Sequence, residues 1–397
     1  MPYSTAPCLR PDVAVRPFDA VEGDRRFLVA VDDRHFLVSA AVAAVLESTR
    51  QPGTLALVAE RASARLGVRL SPQQVATFLG EQAPAVLFQA DAQQSTSRSP
   101  LRFQRRIISG DRLRPLLVCL ARLFEARTAG ALVLAFLIAN ALVAWRALGT
   151  PFIALARLEI GVALALTLAG VFIHELGHLA ACVRHGAPHG GVGAGLYWCF
   201  PAFYSEVHGA WQLNRRQRAT VDAGGLYLQG AFVLLLCVSY AAFPSPALLS
   251  AIAWSHVLML HTLNPVLKFD GYWLMTDLTG TPNLHRTVRH IARRAWQAVW
   301  SHVRRPSNRE LALLAAFFTA AIVYFTYLLV MLGQSVASAA FNAVSAWAQP
   351  TTLSATALMH VLTSTALLGL LLAMSLGVAV LLARSIKSVV QGDDDDH

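Results

Sequence analysis

The sequence predicts a mainly α, polytopic helical membrane protein of about six transmembrane helices, carrying a small N-terminal α/β domain. Three observations carry this expectation. Of 397 residues, 55% are hydrophobic and only 14% charged, against about 25% charged in an ordinary soluble domain, and the mean hydropathy is +0.49. The apolar residues gather into runs near the ~20 residues that cross a bilayer. The net charge of +10 sits in short arginine-rich segments beside those runs, a pattern of membrane topology rather than nucleic-acid binding.

Residues 1–20 read as an N-terminal tail, and the polar, mixed-charge stretch Met1–Arg26 does not read as a signal peptide. Residues 21–90 read as a soluble domain. Phe27–Val31 and His35–Val38 alternate as two short strands around an Asp32-Asp33-Arg34 turn. Ser39 caps a helix over Ser39–Thr49. Pro52-Gly53 marks a turn, and Thr54–Leu66 reads as a second helix ended by Gly67. Ser71-Pro72 opens a third, with Pro at the first helical position. Ala85–Phe88 reads as a closing strand. Two strands, three helices and a strand make a small winged-helix pattern.

Residues 91–127 read as a linker and juxtamembrane helix: Gln93–Pro100 is polar and low in complexity, and Arg102–Arg127 is basic and amphipathic. The membrane part divides into a core at residues 128–280, a basic connector at 281–310 and C-terminal helices at 311–385. An acidic tail follows at 386–397, where Asp393–Asp396 reads as solvated. The spans are expected near Thr128–Ala147, Leu158–Val183, Thr220–Ala242, Pro246–Pro265, Leu311–Gly333 and Ala357–Ala383. Gly191–Val207, rich in glycine and aromatics, is too short to cross as a helix and reads as a re-entrant hairpin. Arginines precede the first and third spans, fill the connector and, with Lys387, follow the last. The positive-inside rule then puts both termini in the cytoplasm of a multi-pass cell-membrane protein.

His174-Glu175-Leu176-Gly177-His178 ends the uncharged run Ile160–Ile173. Ionisable groups are costly inside a bilayer, so such a cluster signals function. On a helix, the i, i+4 spacing puts His174 and His178 on one face, where both reach one tetrahedral metal. Glu175 points about 100° away, placed to act on water rather than to bind the ion. A third protein ligand is needed. The fourth expected span ends in Asn264-Pro265-Val266-Leu267-Lys268-Phe269-Asp270-Gly271-Tyr272, and alternation of the spans brings Asp270 to the depth of the two histidines. Asp277 is the fallback ligand. Asp222 and Asp277 otherwise read as interfacial. Cys182, one turn beyond His178, reads as a packing residue more readily than as a fourth ligand, and the five cysteines lack a C-x-x-C pair. His256, His261 and His360 lack ligand spacing and read as packing or hydrogen-bonding residues.

These paired motifs resemble the site-2 protease family of intramembrane zinc metalloproteases, over about Thr128–Thr279. The form with four residues between Pro265 and Asp270, together with Gly195–Tyr204 and Trp211, looks like its peptide-processing branch. Ala223-Gly224 resembles the family's small-residue motif for close helix packing. The resemblance implies one Zn²⁺ held by His174, His178 and Asp270, with Glu175 as general base and Asn264 orienting substrate or oxyanion. No stretch reads as the PDZ domain many members carry. The N-terminal domain is similar, through its strand pattern and order, to RiPP recognition elements, which bind a leader peptide as an added strand. Here that strand would lie beside Phe27–Val38 and Ser71–Gly80. A DNA-binding role is disfavoured because Pro72–Glu81 has no Lys or Arg, and a purely structural cap is the other reading.

The expected function is therefore peptide-bond hydrolysis at zinc, removing the leader of, or trimming, a ribosomally made modified peptide. Expected partners are that peptide and the lipid bilayer, with no nucleic acid. The alternatives are intramembrane cleavage of a membrane-anchored regulator, or a non-catalytic peptide transporter or immunity protein.

Overall fold

The computed structural model describes residues 6–18, 26–31, 34–88, 101–147, 157–197, 200–281, 283–300 and 306–348. The expected Asp32-Asp33 turn, the Gln93–Pro100 linker, the last span with His360, and the acidic tail lie outside them.

The N-terminal sheet has the order β1-β2-β3 and is antiparallel throughout, from β1 (Ala14–Pro17), β2 (Arg26–Val31) and β3 (Arg34–Ser39). The alternation of Phe27–Val38 foretold β2 and β3. β1 falls in the expected tail: four residues are too few to show a period, and pairing with β2 creates the strand. Three helices follow, α1 (Ala40–Ser48), α2 (Leu55–Leu66) and α3 (Pro72–Thr77). Their ends follow local chemistry. Ser39 and Thr54 accept from the Val42 and Leu57 N–H groups, and Gly67 closes α2 at φ 68°. Ser71 and Gln74 form a reciprocal capping box behind Pro72. The expected strand at Ala85–Phe88 is instead a 3₁₀ turn over Ala85–Leu87. Its Val86 and Leu87 fill the core with Leu9, Val13, Val29, Val31 and Leu46, and the Leu87 carbonyl accepts from Arg10 N–H. The apolar residues were legible there; their backbone was decided by the N-terminal segment packing on them.

A second sheet corrects another expectation. Arg102–Arg127 does not form one juxtamembrane helix. Its first part is strand β4 (Leu101–Ile108), and only then come α4 (Gly110–Ala121) and a short 3₁₀ turn. β4 pairs with the hairpin of β5 (Val192–Tyr197) and β6 (Phe200–Ser205), in the order β4-β5-β6. An open edge of β5 supplies the hydrogen-bond ladder that an isolated basic segment lacks. Arg106 pins the far strand through Glu206, Nη2 to Oε2 at 2.7 Å.

Four helices among the described residues are long and apolar enough to cross a membrane: Ala126–Ala147, Glu159–Arg184, Arg215–Ala242 and Asn308–Tyr327. They belong to α5 (Ala126–Ala147), α6 (Arg157–Arg184), α7 (Arg215–Ala242) and α11 (Asn308–Ala348). The fourth expected span is helical only over α8 (Pro246–Thr262), 17 residues. The outer loop expected from Gln334 is helical to Ala348, because its small and apolar residues carry no helix breaker. Of the six expected spans, the five that fall in the described residues appear as four long helices and the short α8.

The described residues fall in two compact units, 1–263 with 267–284, and 264–266 with 285 onward. In the first, α6 and α7 pack together most closely. A Cβ added at Gly177 would lie 2.2 Å from the Gly224 carbonyl oxygen, so the helix backbones touch. Below that contact, Val233, Leu236 and Cys237 of α7 pack with Ala247, Ala251 and Ile252 of α8. The second unit holds α10 (Leu284–Trp300) from His285 onward and α11, joined by an Arg294–Glu310 ion pair at 2.8 Å.

Gly177→Ala must push α6 and α7 apart. It is expected to cost about 1–3 kcal/mol, read as a lower unfolding temperature in detergent. Gly130→Ala, on α5 with open space around its Cβ position, is expected to leave that temperature unchanged or slightly raised.

Candidate metal centre

α6 runs unbroken through the pentad, so His174 and His178 project from successive turns of one face, and both are buried. Their Nε2 atoms lie 3.1 Å apart. Asp270, the first residue of α9 (Asp270–Thr279), brings Oδ2 to 2.7 Å from His174 Nε2 and 3.5 Å from His178 Nε2. Among the described residues these three make the one His/Cys/Asp/Glu group arranged to hold a metal ion, with ligand atoms all within 4.8 Å of one another. α8 explains how Asp270 returns. α7 carries the chain away from the site, and the 17-residue α8 brings it ~25 Å back. The short helix therefore does what the expected full span was needed for.

The donor chemistry fits a cation. His174 Nδ1 faces Gln229 Oε1 at 3.0 Å, and His178 Nδ1 faces the Val221 carbonyl at 2.8 Å. Both partners are acceptors, so each ring carries its hydrogen on Nδ1 and turns an Nε2 lone pair inward. Asp270 Oδ2 is buried without a hydrogen-bond donor. Three such atoms face one point, an arrangement that calls for a positive charge, a metal ion or a shared proton, among them. Two nitrogens bound tetrahedrally to zinc at ~2.0–2.1 Å lie about 3.3 Å apart, close to the separation seen. Oriented Nδ1–H groups of this kind fix ligand rings and tautomers.

Gly225 sets the space. A Cβ there would lie 2.5 Å from both Nε2 atoms. The close packing read from Ala223-Gly224 is present, and it extends to Gly225, which the sequence reading did not single out. Gln229 and Arg218 were missed as well. Gln229 had a readable signal, a polar side chain inside an apolar helix. The Val221 carbonyl had none, since a backbone acceptor has no signature in sequence.

The remaining candidates separate cleanly. Glu175 is half-buried on α6, and its carboxylate has no hydrogen-bond or ion-pair partner among the described residues. Asn264 lies in the second compact unit, where its Oδ1 accepts from Val266 N–H at 2.8 Å. Asp277 is no ligand: its Oδ1 accepts from Arg218 Nε at 2.8 Å, and the Asp222 carboxyl lies beside it. Burial raises the Asp277 carboxyl above the ordinary carboxylate range, against the opposing charge of Arg218. Asp277 and Asp222 Oδ2 are both buried within the protein. Cys182 is fully buried with Ala181, Ala187 and Val221 as a packing residue. His256 donates from Nδ1 to the Ile252 carbonyl and stacks on Phe136, while His261 packs against Phe269.

Four apolar helices of spanning length are compatible with a membrane protein, and His174, His178 and Asp270 form a candidate metal site within the first compact unit. Comparison with known proteins agrees with such a site. The chain is 30% identical over 107 residues to YydH of Bacillus subtilis (strain 168), a protein provisionally named a peptide zinc metalloprotease. The match takes in 26% of this chain and 42% of the relative's length. No protein-family model matches the chain, and no solved structure matches it. The similarity supports a metalloprotease-type function.

Gln229→Leu frees His174 Nδ1 and is expected to weaken divalent-metal affinity about 10–100-fold, measured by chelator competition, with helical content retained by circular dichroism. Gly225→Ala puts a methyl where the ligand atoms converge. It is expected to bring metal content in the purified protein close to zero by elemental analysis.

Proposed function

We propose that this chain is an intramembrane zinc-dependent endopeptidase of the site-2 protease type. Its reaction removes the leader of, or trims, a ribosomally made modified peptide recruited by the N-terminal domain. The observation that carries the reading is the convergence of His174 Nε2, His178 Nε2 and Asp270 Oδ2 within a bundle of apolar helices. The relative's name points to the same chemistry and to a peptide substrate.

His174, His178 and Asp270 would hold the zinc. When bound, zinc supplies a Lewis acid for the scissile carbonyl and lowers the pKa of water toward ~7. Glu175, beside the ligands but free of any partner among the described residues, takes the proton from the attacking water. It passes that proton to the nitrogen of the departing amine. Gln229 and the Val221 carbonyl keep both imidazoles in the productive tautomer. A helical substrate must unwind first. β6 is an edge strand that packs on α6, where Phe203 meets Phe172 with ring centroids 5.7 Å apart. An extended peptide added along that edge runs close to the pentad.

Two features favour recruitment by the N-terminal domain. β3 is an edge strand of its sheet. α3 carries a hollow of ≈ 540 Å³ lined by Ser71, Gln73, Gln74, Thr77 and Phe78, neutral residues suited to a peptide and not to nucleic acid. The arginine asymmetry favours both termini in the cytoplasm, which puts recruitment and cleavage on one side of the membrane.

The test uses purified protein and a candidate precursor peptide encoded nearby. Glu175→Gln is expected to keep zinc while losing about 10²–10⁴-fold in cleavage rate. Equal cleavage by both forms removes the catalytic assignment. Deletion of residues 1–90 is expected to weaken peptide capture and raise KM. Unchanged capture removes the recruitment role and favours a membrane-anchored substrate instead.

A further inference from the structure

α9 carries the third ligand at its first residue, and the residues Leu263–Phe269 before it are not helical. Asp270 is therefore held in place by what grips α9 from the side. Two grips are visible. Asp277, about two turns beyond Asp270, is held by Arg218 of α7, Nε to Oδ1 at 2.8 Å. Trp273 packs edge-on against Trp211, ring centroids 6.0 Å apart. Arg218 is only 4% exposed and is itself oriented by the Leu213 carbonyl, which accepts from Nη1 at 2.9 Å.

One residue of the N-terminal domain touches both grips. The Phe18 ring, just past β1, covers the Arg218 guanidinium, with Cζ 4.1 Å from the ring centroid. It also meets the Trp211 ring, centroids 6.1 Å apart. Phe18 is anchored to its own sheet through its N–H, which donates to the Arg26 carbonyl at 2.8 Å. β3 runs beside the His208–Gln212 turn that carries Trp211. A ring face over a buried guanidinium is attractive and excludes water from the ion pair beneath it.

We infer that Phe18 is a positioning residue for the metal centre. By seating the N-terminal domain on Arg218 and Trp211, it sets the placement of α9 and so of Asp270. Whatever lifts or tightens that domain is then read out at the third ligand. This rests on the metal-site reading proposed above but not on peptide hydrolysis.

The experiment is zinc affinity of the full chain in detergent, measured by chelator competition without substrate, for wild type, Phe18→Leu, Phe18→Trp and the surface control Val68→Ala. Unfolding temperature is followed in parallel on the metal-free proteins. Phe18→Leu is expected to lose about 3–30-fold in zinc affinity, the range of one desolvated cation–π contact. Phe18→Trp keeps a ring face and is expected to stay within about twofold of wild type. Val68→Ala is expected to match wild type. Unfolding temperatures of the metal-free proteins are expected to agree. Wild-type affinity in Phe18→Leu overturns the inference. So do equal losses in Phe18→Leu and Phe18→Trp, and a loss that merely tracks unfolding temperature. Wild-type protein that binds zinc but cleaves no peptide overturns the peptidase reading and leaves this one standing; wild-type protein that binds no zinc overturns both.

Discussion

The backbone contact between α6 and α7 at Gly177, Gly224 and Gly225 is the constraint on which the rest depends. Side chains normally keep the backbones of packed helices apart; here glycines let them touch. With no Cβ at these positions, α7 comes near enough for the Val221 carbonyl and the Gln229 amide to take the Nδ1–H groups of His178 and His174. Both Nε2 lone pairs then turn toward the space left by Gly225. The same approach puts Arg218 where it can hold Asp277 and, through α9, Asp270. A single steric permission thus fixes the tautomers, the free volume and the third ligand together.

The centre is built at the meeting of elements with different roles. α6 supplies two candidate ligands from one helix face and, about 100° round the helix, the proposed base. α7 supplies only orientation, through a carbonyl, an amide and a guanidinium. α9 supplies one oxygen from a helix start, where the positive end of the helix dipole favours a carboxylate. The small sheet lies alongside, its β6 packed on α6. Arg106 and Glu206 hold its two outer strands together across β5. The orienting groups of this division are buried, and an extended edge lies beside them.

Much of this was readable in order of residues. The pentad's spacing declared a metal-binding face, because helix geometry is periodic whatever surrounds it. Asp270 was reachable by a topological argument alone, since spans that alternate must return to the same depth. Ser39, Thr54, Gly67 and Ser71-Pro72 marked helix ends through local hydrogen bonding and φ preference, which need no tertiary context. β1 and β4 escaped notice for the opposite reason. Neither segment specifies a strand by its own pattern; each becomes one where a neighbouring strand offers an open ladder. The 3₁₀ turn at Ala85–Leu87 is the converse, an apolar run whose partner was a core rather than a sheet edge.

By itself, then, the order of amino acids determined the long apolar helices, the helix caps, the two-histidine face and the candidacy of Asp270, all consequences of short-range periodicity, composition and chain reversal. Only tertiary structure decided that Asp277 belongs to Arg218, that Gln229 and a main-chain carbonyl orient the imidazoles, and that Phe18 covers the ion pair behind the third ligand. Those assignments join residues tens to hundreds of positions apart. They depend on how closely two backbones can approach, a quantity that no local pattern encodes.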